Sequence, residues 1–139
     1  MFKKDETKAT GKLKVEIKDK QGNVKETREL ENLVVDTGLA FIASRMKDAT
    51  ATAMSHMAIG TGTSAAASGN TALGTEAARV ALTSTTVTAN AVAYVCSFAA
   101  GTGTGAITEA GILNAASTGT LLCRTVFSVV NKGASDSMT

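Results

Sequence analysis

The sequence predicts an all-β domain with one short helix, and three observations lead there. Residues 12–18 alternate strictly between charged and aliphatic side chains. Beyond residue 55, short apolar or β-branched runs recur between turns rich in Gly, Asn and Ser. Only residues 36–46 carry apolar side chains at helical spacing. Seven or eight short strands spaced this regularly fit a jelly roll, a β-sandwich or a small barrel.

Taken in order, Lys3 to Thr10 lack the apolar side chains that would order them, so residues 1–10 are expected to be disordered in the free chain. Leu13, Val15 and Ile17 against Lys12, Lys14, Glu16 and Lys18 make a half-buried strand. Asp19-Lys20-Gln21-Gly22-Asn23 turns the chain, and residues 24–30 return as a second, more polar strand. Residues 1–30 thus read as a charged β-hairpin arm contributing little apolar core, and 31–139 as a sandwich or jelly-roll body. Asp36 or Thr37 can cap the helix, whose stripe is Leu39, Ile42, Ala43 and Met46, with Arg45 and Lys47 in the last turn.

Residues 55–59 form a strand closed by Gly60-Thr61-Gly62-Thr63, and 64–75 a loop of small residues. Runs 79–88 and 91–99, separated by Ala89-Asn90, read as a hairpin. Gly101 to Gly105 is a flexible turn, 107–113 a strand, 114–118 a connection and 121–130 the longest strand. That last strand is apolar on both faces, so it is either covered twice or offers one face to a partner.

Charge divides the chain. Twenty of its 26 ionised side chains lie in residues 1–50, and only Glu76, Arg79, Glu109, Arg124, Lys132 and Asp136 follow. The net charge of +2 is too small to argue for nucleic acid or membrane as a partner. Lys3 and Lys4 are followed by Asp5 and Glu6, not by the apolar run of a secretory signal. Cys96 and Cys123 sit in apolar segments and read as buried thiols in a reducing cytoplasm, with a disulfide between neighbouring strands as the alternative.

Catalytic patterns do not assemble. Gly60 to Ser64 lacks the Gly-Lys-Ser/Thr of a phosphate loop, and Gly101 to Gly105 lacks the Gly-x-Gly-x-x-Gly spacing, so both read as mobile connections. His56 is the only histidine, too isolated for a triad or a zinc site. Glu76 and Glu109 are the body's two glutamates, and ion pairing of Glu109 with Arg124 is the expected role; the same holds for Arg79. The expectation is a chain without catalysis, cofactor or metal.

Three runs carry a resemblance: Asn32-Leu33-Val34-Val35-Asp36-Thr37-Gly38-Leu39-Ala40-Phe41-Ile42-Ala43-Ser44-Arg45-Met46, Met57-Ala58-Ile59-Gly60-Thr61-Gly62-Thr63, and Gly105-Ala106-Ile107-Thr108-Glu109-Ala110-Gly111-Ile112. Together with the small body and charged arm they resemble head cement (decoration) proteins of tailed bacteriophages, most nearly that of a Bordetella podophage. The resemblance implies a jelly roll that binds the outer surface of the virion capsid and cements adjacent major capsid proteins. It implies synthesis in the host bacterial cytoplasm and a homo-oligomer, a dimer ahead of a trimer, with no direct nucleic-acid or membrane contact. Lys12, Lys14, Lys18, Lys20, Lys25 and Arg28 are the candidate partner-binding residues, facing acidic capsid patches. The competing reading is a tail- or fibre-associated module that binds a host receptor.

Overall fold

A computed structural model describes residues 6–47 and 50–139. Part of the expected disorder, residues 1–5, lies outside the described residues, and residues 6–10 carry no helix or strand. In chain order the elements are β1 (Gly11–Lys18), β2 (Val24–Val34), α1 (Asp36–Ser44), β3 (His56–Gly60), β4 (Glu76–Ala81), β5 (Ser84–Thr88), β6 (Ala91–Val95), β7 (Gly105–Leu113), β8 (Leu121–Lys132) and β9 (Ser137–Met138). The protein is all-β with one short helix, as the periodicity predicts.

Seven strands form one antiparallel sheet in the order β4-β3-β7-β8-β2-β1-β9, while β5 and β6 form a separate two-stranded ribbon. Val15 and Ile17 of β1 belong to the same core cluster as Ile59 of β3, Ile107 and Ala110 of β7, and Phe127 and Val130 of β8. In the strand order β1 and β3 are far apart, so these contacts require the sheet to curl back over itself. The result is consistent with the sandwich or jelly-roll class. The charged hairpin therefore does supply core, contrary to the sequence reading. Alternation puts Val15 and Ile17 inward at 5% and 1% exposure while their charged neighbours face water. Each such aliphatic residue contributes about 1.5–3 kcal/mol of burial.

The two faces of β8 are both covered. Phe127 and Val130 lie under the hairpin, and Leu121 packs with Val35, Ala58, Leu73 and Leu113 on the opposite side. Register shifts in the β7–β8 ladder displace the simple parity read from sequence: Val130 is buried and Val129 is 45% exposed.

Three local expectations change. The run 79–88 is two strands, because the chain leaves the main sheet at Leu82-Thr83; the amide of Leu82 still donates to Ser55 O, and that of Thr83 to Val95 O. The helix has Val35 as its N-cap with no side-chain cap; Thr37 Oγ1 donates instead to Leu121 O at 2.9 Å. It ends at Ser44, so neither Arg45 nor Lys47 is in its last turn, and Met46 is 80% exposed. Its buried position is Gly38, where a Cβ would collide with Leu122 O. The smallest side chain, rather than the aliphatic stripe, sets how closely this helix meets β8.

The C-terminal segment closes the structure. β9 pairs with β1 on one side and Met138 bridges Phe98 on the other, with Thr139 and Glu16 exchanging backbone hydrogen bonds at 2.9 and 2.8 Å. Lys132, 1% exposed, donates from Nζ to Ala99 O at 2.9 Å and Asp136 O at 2.7 Å, which pins the turn before β9. Burial pushes the Lys132 amine below its ordinary value, against the opposing pull of Asp136.

Candidate partner-binding surface

The register of β1 and β2 decides what the charged hairpin shows to a partner. Lys12 stands opposite Glu31 and Lys14 opposite Glu29, so these pairs share the outward face. Lys18 lies on the same face, its Nζ 3.2 Å from Glu16 Oε1. Lys20 is exposed in the turn, whose geometry is set by Asp19: its Oδ1 accepts the amides of Gln21 and Asn23, both at 2.9 Å. The Asn23 hydrogen bonds lead in holding that carboxyl below its ordinary value.

The other two candidates point elsewhere. Lys25 reaches across to Asp136, Nζ to Oδ2 at 2.7 Å, and so ties the hairpin to the C-terminal turn. That bond, with the Gly133 amide, holds the Asp136 carboxyl below its usual range. Arg28 stands opposite Val15, on the inward face; it pairs with Glu26 at 2.6 Å and lies 3.5 Å from Val129 O. The six cations proposed from sequence therefore do not form one patch. Lys12, Lys14, Lys18 and Lys20 face outward, interleaved with acids, whereas Lys25 and Arg28 hold the hairpin to the rest of the fold.

Backbone adds a second feature. β9 covers β1 only at Ile17 and Lys18, with Thr139 against Glu16. Over residues 11–15 the outer edge of β1 has no backbone partner among the described residues, and Lys12 and Lys14 are exposed along it. That edge can accept an extended strand.

The buried ionisable pair has a different role. Glu109 and Arg124 are 0% and 2% exposed. Arg124 Nε donates to Glu109 Oε2 at 2.9 Å; Nη2 lies 2.8 Å from the same oxygen but off the hydrogen-bonding direction, so that contact is Coulombic. Glu109 also accepts the amides of Gly62 at 2.9 Å, Gly74 at 2.8 Å and Thr75 at 2.7 Å. Burial alone would raise this carboxyl; the amides of Thr75 and Gly74, then Arg124 and Gly62, bring it below its ordinary value. Arg124 Nη1 continues to Asn70 Oδ1 at 3.0 Å. One carboxylate thus holds both ends of the loop 61–75, and Gly62 is there because a Cβ would strike Glu109 Oε1. The sequence predicts the ion pair but reads as a mobile connection at this glycine run, which the structure shows to be tethered. The signal lay in glycine itself, which allows close approach as well as motion.

His56 is half-buried at the start of β3 with Nδ1 2.8 Å from Ser55 Oγ, and Glu76 is held at the surface by Arg79 at 2.6 Å. Both thiols are buried and unpaired by disulfide, and burial pushes each up to about 11. No helix among the described residues is long and apolar enough to cross a membrane. No protein-family model, curated protein or solved structure matches the chain.

Proposed function

We propose that this chain is a non-enzymatic structural protein of a tailed-phage virion that binds the outer surface of the head and cements adjacent major capsid proteins. The observation that carries the reading is the open edge of β1 over residues 11–15, flanked by exposed Lys12 and Lys14 on a hairpin that is itself anchored in the core. A strand of the capsid protein pairs with that edge, and its acidic residues meet Lys12, Lys14, Lys18 and Lys20. Each exposed ion pair contributes only about 0–1 kcal/mol, so backbone pairing and many copies per particle supply the strength. A protein bound across a seam stabilises only the assembled shell, by mass action. The resemblance of the three sequence runs to head cement proteins supports the same assignment.

The test is co-sedimentation with undecorated expanded heads across a salt series. Replacing Lys12, Lys14 and Lys18 together by Glu should weaken attachment, most clearly at low salt, where exposed charges are least screened. Purified particles should contain hundreds of copies. A handful of copies located at the tail would overturn the head assignment and favour receptor binding.

A further inference from the structure

One edge of β1 is filled, and it shows which side chains the strand selects. Along residues 12–14, Glu31 stands opposite Lys12, Leu30 opposite Leu13 and Glu29 opposite Lys14. The two lysine–glutamate pairs lie on the outward face, while Leu13 and Leu30 are half-buried against the core cluster. The segment received on that side therefore reads acid, aliphatic, acid. Charge decides its outer positions, and apolar burial decides the middle one.

The open edge carries the same three side chains. Glu16 and Thr139 exchange both main-chain hydrogen bonds, at 2.8 and 2.9 Å, so the N–H and C=O of Glu16 point away from β2. These groups alternate in direction along a strand, and the β1–β2 register is regular from Gly11 to Ile17. The N–H and C=O of Lys12 and Lys14 therefore point to the open edge, where no strand among the described residues receives them. β9 shows how the same edge is used farther along. Met138 stands opposite Ile17 and is 3% exposed in the core, with Ser137 opposite Lys18 on the outward side. An aliphatic residue beside Leu13 would extend that buried row. Basic residues beside Lys12 and Lys14 would set like charges directly opposite each other.

We infer that the open edge of β1 selects an extended partner segment of the pattern acid, aliphatic, acid, with its carboxylates opposite Lys12 and Lys14 and its aliphatic side chain beside Leu13. This specifies the strand that the capsid reading calls for, and it rests on that reading for the identity of the partner. The partner segment repeats, on the far side of β1, what Glu29-Leu30-Glu31 already supplies on the near side.

The experiment is an NMR titration of the full chain with blocked heptapeptides that carry Glu-Leu-Glu at the centre and Thr at the flanks. The main-chain groups of two residues and one apolar contact correspond to a Kd on the order of 1 mM. In the free chain the Lys12 and Lys14 amides should exchange faster than those of Leu13 and Val15. Peptide at about ten times its Kd should slow the lysine pair about 10-fold, by mass action. Gln-Leu-Gln should bind about 2- to 30-fold more weakly, and Lys-Leu-Lys more weakly still. The variant K12E/K14E/E29K/E31K keeps opposite charges within the hairpin and should invert that order. Lys-Leu-Lys binding the wild type as tightly as Glu-Leu-Glu, or peptide shifts centred away from residues 11–15, would overturn the inference. Peptides ranked as expected, with heads indifferent to K12E/K14E/K18E, would support this edge assignment and remove the capsid reading. Unranked peptides with heads that do respond would remove this inference and leave that reading standing.

Discussion

The chain has two antiparallel hairpins, and they differ in opposite ways from what their composition suggests. β1–β2 has six cations and five anions between Gly11 and Val34, yet it belongs to the seven-stranded sheet and places Val15 and Ile17 in the largest core cluster. β5–β6 has no ionised side chain, yet it stands outside that sheet with its valines in water. Charge on a strand therefore does not mark it as peripheral, because alternation can bury one side completely. Neutrality does not mark a strand as core either. It leaves the strand without a solvated face, and that need is met by burial inside the fold or by another molecule.

The comparison is broken most directly by shaving one aliphatic side chain from each hairpin. Ile17→Ala should cost about 2–5 kcal/mol in urea unfolding, since the side chain is fully enclosed. Val92→Ala should stay within about 0.5 kcal/mol at concentrations where the chain is monomeric. Equal losses would mean that the hairpins are equally integrated.

Acid should then separate the two. Glu109 and Asp136 both titrate below their ordinary range in the folded chain. Their stabilisation is fully present above the unfolded carboxylate values, near about pH 4, and is lost as pH falls through the lower folded values. Amide exchange below about pH 4 should therefore accelerate first in residues 61–75 and 133–139. The β5–β6 amides should change only with global unfolding, because among the described residues no carboxylate is tied to that ribbon. Glu109→Gln should remove most of the pH dependence of the 61–75 loop.

A smaller effect sharpens the reading of the outer face. K12E and K14E turn two opposite-charge cross-strand pairs into like-charge pairs, costing about 0.2–1 kcal/mol each at low salt. Adding E29K and E31K should restore stability, whereas a structural role for the lysine stems alone would leave the loss in place. The smallest effect belongs to the ribbon's turn. Ala89 has φ 52°, a left-handed conformation that costs a non-glycine residue about 1–2 kcal/mol. Part of that relief is cancelled by glycine's unfolded-state entropy, so Ala89→Gly should stabilise by less than about 1 kcal/mol.

What was legible in the sequence is what depends on near neighbours. The 12–18 alternation, the Asp19–Asn23 turn and the two-residue connection at Ala89-Asn90 all express rules acting within a few residues, and all appear in the fold. The departure at Leu82-Thr83 was hidden because no Gly, Pro, Asn or Asp marks it, so the pattern runs straight through it. β9 is two residues long, too short for periodicity to register. For the surface, the lysines were visible, but their sorting was not. Whether Lys25 faces a partner or Asp136 is settled by a residue 111 positions away, and whether Lys12 meets Glu31 is settled by hairpin register. The role of Glu109 as a tether escaped for the same reason, since its amide donors are 34, 35 and 47 positions distant.

The seam between Glu16 and Thr139 has a consequence for the order of events during synthesis. β1 leaves the ribosome more than a hundred positions ahead of β9, and the two are hydrogen-bonded neighbours, so this part of the core cannot close until both are available. At about 5–20 residues per second, Val15 and Ile17 wait on the order of 10 s before the segment that encloses them appears. During that interval an apolar strand face is open in a crowded cell. The alternating Lys12, Lys14, Glu16 and Lys18 of β1 keep that nascent hairpin soluble and unattractive to other edges. The outward charges thus act on the chain well before any partner meets them.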